Sequence, residues 1–321
     1  MGYNQPMKLR RVIGFVLIAV GGVLTAPAEI LAQGPFIIDY DVDDQTIAED
    51  TLSYLQAAEA EFAPHLPFGE EPVKIRIASS LNEFLGLSGT YAHVGVNGVT
   101  RASQNLIALK SPRLRTLGDD YRGTVRHELV HVLLHRNTNT TQLPRWLNEG
   151  VCMLLANELR WGSTLQVAQM HLSGQMIPLR DLDRAFAMPG SDHQFGNAYA
   201  QALSMTRELR DQVGDEAFWA VVLGTKDTSF AAALQTHGDM SPEEFWKRYS
   251  ASLWLLTVIS VLRTGSFWGA ISFLCIIAFL VRHWRNRAIV RRWEAEEQEE
   301  ELEDAPFDWD SILPDADEWK G

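Results

Sequence analysis

His127-Glu128-Leu129-Val130-His131 is the stretch on which the reading of this chain turns. It sits in a longer run, Tyr121 to His135, in which Val125, Leu129, Val132, Leu133 and Leu134 are apolar. That spacing predicts a buried helix, with Asp119 or Asp120 after Gly118 as its N-terminal cap. On a helix, residues four apart share a face, so His127 and His131 can aim two imidazoles at one metal ion. Glu128 follows His127 directly and can reach a water at the same ion. Two neutral nitrogen ligands beside a carboxylate base form the constellation of a zinc hydrolase.

Working outward, a polar loop from Arg136 to Gln142 leads into Leu143-Pro144-Arg145-Trp146-Leu147-Asn148-Glu149-Gly150. Pro144 opens a second helical pattern through Trp146, Leu147, Val151, Leu154 and Leu155. Glu149 falls in its first turns, where a carboxylate is rarely buried without a partner. Two histidines from one helix and a glutamate from the next make up the His2Glu set of a catalytic zinc. His135 extends the four-residue spacing and is an alternative third ligand. Glu149 is preferred, because three consecutive turns do not easily converge on one tetrahedral ion.

These two segments together resemble the peptidase MA-like metallopeptidases, a family within the gluzincins. The resemblance spans residues 36 to 250 and is specific only from Arg126 to Gly150. It implies an α+β zincin domain, with an N-terminal sheet, an active-site helix and a helical C-terminal half. It implies His127, His131 and Glu149 as Zn2+ ligands, Glu128 as general base, and hydrolysis of a peptide or protein substrate. A tyrosine well downstream of the ligand glutamate stabilises the oxyanion in such enzymes. Asn197-Ala198-Tyr199-Ala200-Gln201-Ala202 resembles that segment, which makes Tyr199 the candidate and His193 the reserve. One departure stands out. Val151, Cys152 and Met153 follow Glu149, where relatives place a polar or acidic residue that orients the ligands.

The local patterns agree with that order of elements. Phe36–Tyr40 and Val73–Ile77 read as strands, with a helix over Asp44–Phe62 between them. Ser79 or Ser80 caps a short helix containing Phe84 and Leu85. Val94–Val99 and Asn105–Leu109 read as two more strands, near His93. From Leu159 onward the pattern is helical, with a loop from Gly190 to Gly196 that holds His193. Ser241, three residues before Glu244, marks another helix start.

The ends of the chain point to export and a membrane. Residues 1–32 read as a signal peptide or N-terminal anchor, with Lys8, Arg10 and Arg11 before the apolar run Val12–Leu24. Cleavage candidates are Ala26-Pro27-Ala28 and Leu31-Ala32. The peptidase domain is expected at 33–250 and a juxtamembrane segment at 251–264. One transmembrane helix is expected at 265–282, ahead of Arg282, Arg285, Arg287, Arg291 and Arg292, a flank that belongs on the cytoplasmic side. Residues 283–321 would form that basic flank and a disordered acidic tail, with the peptidase domain outside the cytoplasm. The formal charge of −13 is concentrated in this tail, since thirteen acids and one lysine lie from Glu294 onward. The rest is close to neutral, which excludes an electrostatic nucleic-acid surface. Aromatics among the tail acids, at Phe307, Trp309 and Trp319, suggest docking to a cytoplasmic partner. The two cysteines, Cys152 and Cys275, are not expected to pair. The other reading of the whole is an inactive peptidase-like domain that serves as an extracytoplasmic binding or sensor module with a docking tail.

Overall fold

The computed structural model describes residues 28–89, 96–114, 120–157, 161–187, 192–263 and 266–303. They form a mixed α+β fold, mostly helical, with one five-stranded sheet. The described chain divides into two units between Thr257 and Val258.

The sheet has the order β1-β2-β3-β5-β4. Strands β1 (Ala28–Gln33) and β2 (Phe36–Asp41) form an antiparallel hairpin. In β2 every second residue, Phe36, Ile38 and Tyr40, is buried, as a half-covered strand requires. Helix α1 (Gln45–Phe62) then crosses to β3 (Val73–Ala78), which runs parallel to β2. Leu52, Leu55, Ala58 and Phe62 on α1 bury one stripe at helical spacing. Ser80 caps α2 (Leu81–Ser88) by accepting from the Glu83 amide. Strand β5 (Leu106–Lys110) is parallel to β3, and β4 (Gly98–Arg101) pairs antiparallel to β5 as an edge.

Helix α3 (Tyr121–Asn137) begins at Asp120, whose carboxylate accepts from the Gly123 amide at 2.8 Å. It is buried on most sides, through Val125, Leu129, Val130, Val132, Leu133 and Leu134. Helix α4 (Arg145–Leu155) follows, then α5 (Trp161–Leu172), α6 (Leu179–Ala187), α7 (Asp192–Val213), α8 (Asp215–Gly224), α9 (Phe230–Gly238) and α10 (Pro242–Arg263). Ser241 accepts from the Glu244 amide at the start of α10, as its spacing predicts. The second unit contains α11 (Ser266–Glu303).

Four expectations are corrected. The segment expected to be removed or to act as an anchor, 1–32, overlaps β1, where Glu29 pairs with Tyr40 and Leu31 with Ile38. Leu31 is buried, so a cut after Ala32 would remove most of an edge strand, whereas a cut after Ala28 keeps it. Residues 1–27 lie outside the described residues, as do His93 and Val94. His193 is on α7 and not in a loop, because that helix starts at Asp192. Residues 251–263 of the segment set apart at 251–264 continue α10, so no element boundary falls at residue 250. The basic flank and the start of the acidic tail are helical to Glu303, consistent with their many Arg and Glu residues. Residues 304–321 lie outside the described residues.

The span expected at 265–282 finds no support. Among the described residues no helix is long and apolar enough to cross a membrane. The apolar run Phe267–Val281 stops at Arg282, and its fifteen residues rise only about 22 Å against a hydrocarbon core of about 30 Å.

Candidate metal centre

The helical spacing of α3 brings His127 and His131 side by side, with ring centroids 4.9 Å apart. The rotation of α3 is held by the residue just before them. Arg126 forms a two-pronged pair with Glu61 of α1, at 2.9 and 2.8 Å, and donates to the Leu155 carbonyl of α4 at 2.6 Å. Its guanidinium also lies over Phe62, 4.8 Å from the ring centroid. One side chain thus ties three helices together at the level of His127.

Glu149 reaches the imidazoles because α4 is seated on either side of it, at Trp146 and Gly150. Trp146 is fully buried, stacked on Phe245 and edge-on to Phe230, and its amide donates to Asp183 at 3.1 Å. At Gly150 the backbone presses on α7, where an added Cβ would lie 1.9 Å from Thr206 Oγ1 and 2.9 Å from the Ala202 carbonyl. Only glycine allows that approach. In the resulting position Glu149 Oε2 is 3.6 Å from His127 Nε2 and 3.6 Å from His131 Nε2. That oxygen is buried and, among the described residues, has no hydrogen-bond partner. Burial works against its charge, but His131 and His127, when protonated, and Arg145 outweigh it and hold the carboxyl at about 2, below the ordinary 4.5.

The orientation of His131 comes from α4 as well. Asn148 Oδ1 lies 2.8 Å from His131 Nδ1, and Cys152 Sγ lies 3.2 Å from the same nitrogen. A proton on Nδ1, donated to Asn148, leaves the Nε2 lone pair directed to the Glu149 side. The orienting polar residue therefore precedes Glu149 in the chain instead of following it. Cys152 had no signal in the sequence beyond its place three residues after Glu149. His127, His131 and Cys152 form a group whose donor atoms lie within 4.8 Å of one another. Cys152 and Glu149 meet opposite edges of the His131 ring, so a single cation bound to that ring uses one or the other. The Glu149 edge opens on a cleft, whereas Cys152 is fully buried.

Glu128 is buried, and Thr100 Oγ1 lies 2.7 Å from its Oε2 and 2.9 Å from its backbone carbonyl. Thr100 belongs to the edge strand β4. That strand can come so close only because residue 98 is glycine, since a Cβ there would be 2.7 Å from Glu128 Cγ.

His127, Glu128, His131 and Glu149 line one cleft of about 730 Å³, together with Arg145, Phe186 and Tyr199. A neighbouring hollow of about 460 Å³ shares His127, Glu128, Phe195 and Tyr199 with it and is walled by Met153 and Leu203. Tyr199 packs edge-on against Phe186 and Phe195. Burial, followed by the negative charge of Glu149, pushes its phenol well above its ordinary value, so it is a neutral donor. His135 lines the cleft one turn beyond His131 but is not part of the close donor group. His193 is exposed on α7, near Asn197, and is not among the residues lining either hollow.

The donor set fits a divalent cation of the zinc type. Two imidazole nitrogens face a carboxylate oxygen that is buried and, among the described residues, has no hydrogen-bond partner, and such an oxygen is costly to leave unsatisfied. Comparison with models of known protein families finds none that matches the chain, and comparison with curated proteins finds no match.

Proposed function

We propose that this protein is a zinc-dependent peptidase, with His127, His131 and Glu149 as metal ligands and Glu128 as general base. The observation that carries the reading is the orphaned Glu149 Oε2, 3.6 Å from both imidazole Nε2 atoms, beside Glu128 on an open cleft. Zinc held by these residues would supply Lewis acidity and make a water more acidic. Glu128, held by Thr100, takes a proton from the attacking water and passes it to the leaving amine. Tyr199 donates its phenolic proton toward the carbonyl oxygen as negative charge develops there. Strand β4 borders the same cleft, and among the described residues no strand pairs with its outer side, which suits an extended peptide backbone.

Metal analysis of the full chain tests this reading. The expected result is one zinc per chain, lost in Glu149→Ala and retained in Cys152→Ala. Zinc lost in Cys152→Ala and retained in Glu149→Ala would move the ligand set to the other edge of His131. A peptide library then reads hydrolysis directly. Bound zinc without cleavage of any peptide would favour a binding or sensor module.

Attachment to a membrane, with the peptidase domain outside and the tail in the cytoplasm, is a separate proposal. It rests on the basic start at Lys8–Arg11, the exposed Phe273, Leu274, Phe279 and Leu280 on α11, and the arginines that follow them. Protease added to spheroplasts should digest the domain and spare a C-terminal tag. The opposite pattern would invert the topology. A cytoplasmic partner of the acidic tail would be captured by residues 283–321.

A further inference from the structure

The arginines that brace the first unit have their donors engaged. Arg76 pairs with Asp39, Asp41 and Glu83. Arg126 is held by Glu61 and the Leu155 carbonyl. Arg136 donates to Asn105 and to the carbonyls of Phe68 and Glu71. Arg145 is different. It lines the same cleft as the metal centre, and its side chain is 43% exposed. Among the described residues its guanidinium donates no hydrogen bond. Its nearest carboxylate oxygen is Glu149 Oε1, 3.8 Å from Nε, beyond hydrogen-bonding distance.

The position of that guanidinium is nevertheless defined. It lies over the ring of Phe186, 5.8 Å from the centroid, and Phe186 is itself buried. An aromatic ring covering one face leaves the in-plane N–H groups at the edge, the geometry that takes a carboxylate in two parallel hydrogen bonds. Arg145 and Glu149 are four residues apart on α4, so an anion at Arg145 sits next to the metal centre. Asp183, which also lines the cleft, already accepts from the Trp146 amide at the start of α4.

Resting on the peptidase reading above, we infer that Arg145 selects the substrate by binding a carboxylate close to the scissile bond. The carboxylate is either the C-terminus of the peptide or the side chain of an Asp or Glu. Arg145 is a specificity residue in this scheme and takes no part in the chemistry.

The test uses the full-length zinc-loaded protein in the Glu128→Gln background, so that binding is read without turnover. The probes are matched peptides: one with a free C-terminus and one amidated, then one with Glu and one with Gln at each position flanking the cleaved bond. By calorimetry the acid member of one pair should bind at least about tenfold tighter, and the responding pair identifies the source of the carboxylate. Adding Arg145→Gln should bring the two members of that pair together while leaving the amide peptide within about threefold. Arg145→Lys, which keeps the charge but not the planar fork, should retain part of the preference and controls for misfolding. Equal binding of acid and amide in every pair, or no binding of either, overturns the inference and leaves the peptidase reading intact. An acid preference that depends on Arg145, in a protein whose Glu128 parent cleaves neither these peptides nor any library peptide, overturns the peptidase reading and leaves Arg145 as the carboxylate site of a binding module.

Discussion

Helices α3 and α4 both supply the candidate metal centre, but they reach it by different means. Helix α3 places His127 and His131 together by its own periodicity, and any α-helix over these residues would put them on one face. Helix α4 holds Glu149 at 3.6 Å from them only because Trp146 is wedged between Phe230 and Phe245 and Gly150 lies flat against α7. The first arrangement is local and tolerant of surrounding changes. The second depends on packing, and a single methyl group in the wrong place can disturb it.

Substitutions on the two helices should separate these contributions. The largest effect is expected on α3 itself. Glu128→Gln keeps the shape of the side chain and its contact with Thr100 but cannot accept a proton, so kcat should fall by about 10²–10⁴-fold with zinc content unchanged. Undiminished turnover would take Glu128 out of the mechanism and leave α3 a ligand helix only.

Next comes α7, against which α4 rests. If Tyr199 is the oxyanion donor of the proposed peptidase, Tyr199→Phe removes an interaction made mainly in the transition state, and kcat and kcat/KM should drop together by about 10²–10³-fold with KM little changed. A packing tyrosine would leave kcat within a few-fold of the parent. His193→Ala, measured alongside, should be silent, since His193 is exposed and outside the cleft.

Asn148→Ala asks how far α4 controls the imidazoles of α3. Without the acceptor 2.8 Å from Nδ1, His131 loses its preferred tautomer, and zinc affinity should weaken by about 10–100-fold. Affinity equal to the parent's would show that α3 orients its own ligands and that the α4 contact is incidental.

The smallest effect is read as stability. Gly150→Ala forces a Cβ to within 1.9 Å of Thr206 Oγ1 and should cost about 1–3 kcal/mol in chemical unfolding of the metal-free protein. Gly86→Ala on α2, where nothing lies within 4 Å of the added Cβ, should instead stabilise by up to about 1 kcal/mol. Similar behaviour of the two alanines would mean that the seat of α4 on α7 is looser than the geometry indicates.

The elements were legible where their signals are local. Alternating burial in Phe36, Ile38 and Tyr40, the Ser80 and Ser241 caps and the Asp120 cap are each decided within a few residues. Strand β1 was not legible in the same way. Its sequence, Ala28-Glu29-Ile30-Leu31-Ala32-Gln33, follows an apolar run that reads as a targeting segment, and only pairing with β2 gives it a strand's partners. The apolar run of α11 was legible as hydrophobic, but its continuation as helix through Arg282 to Glu303 was not.

At the centre the division follows the range of the forces involved. His127, Glu128 and His131, and the presence of a glutamate on the next helix, can be read from spacing, because helix geometry acts over four residues and needs no tertiary partner. The orphaned oxygen of Glu149, the Asn148 contact that orients His131, the Gly98 approach that lets Thr100 hold Glu128, and the open guanidinium of Arg145 all depend on residues that are distant in the chain. Close packing between α4 and α7, and between β4 and α3, set those distances, and no local pattern encodes them.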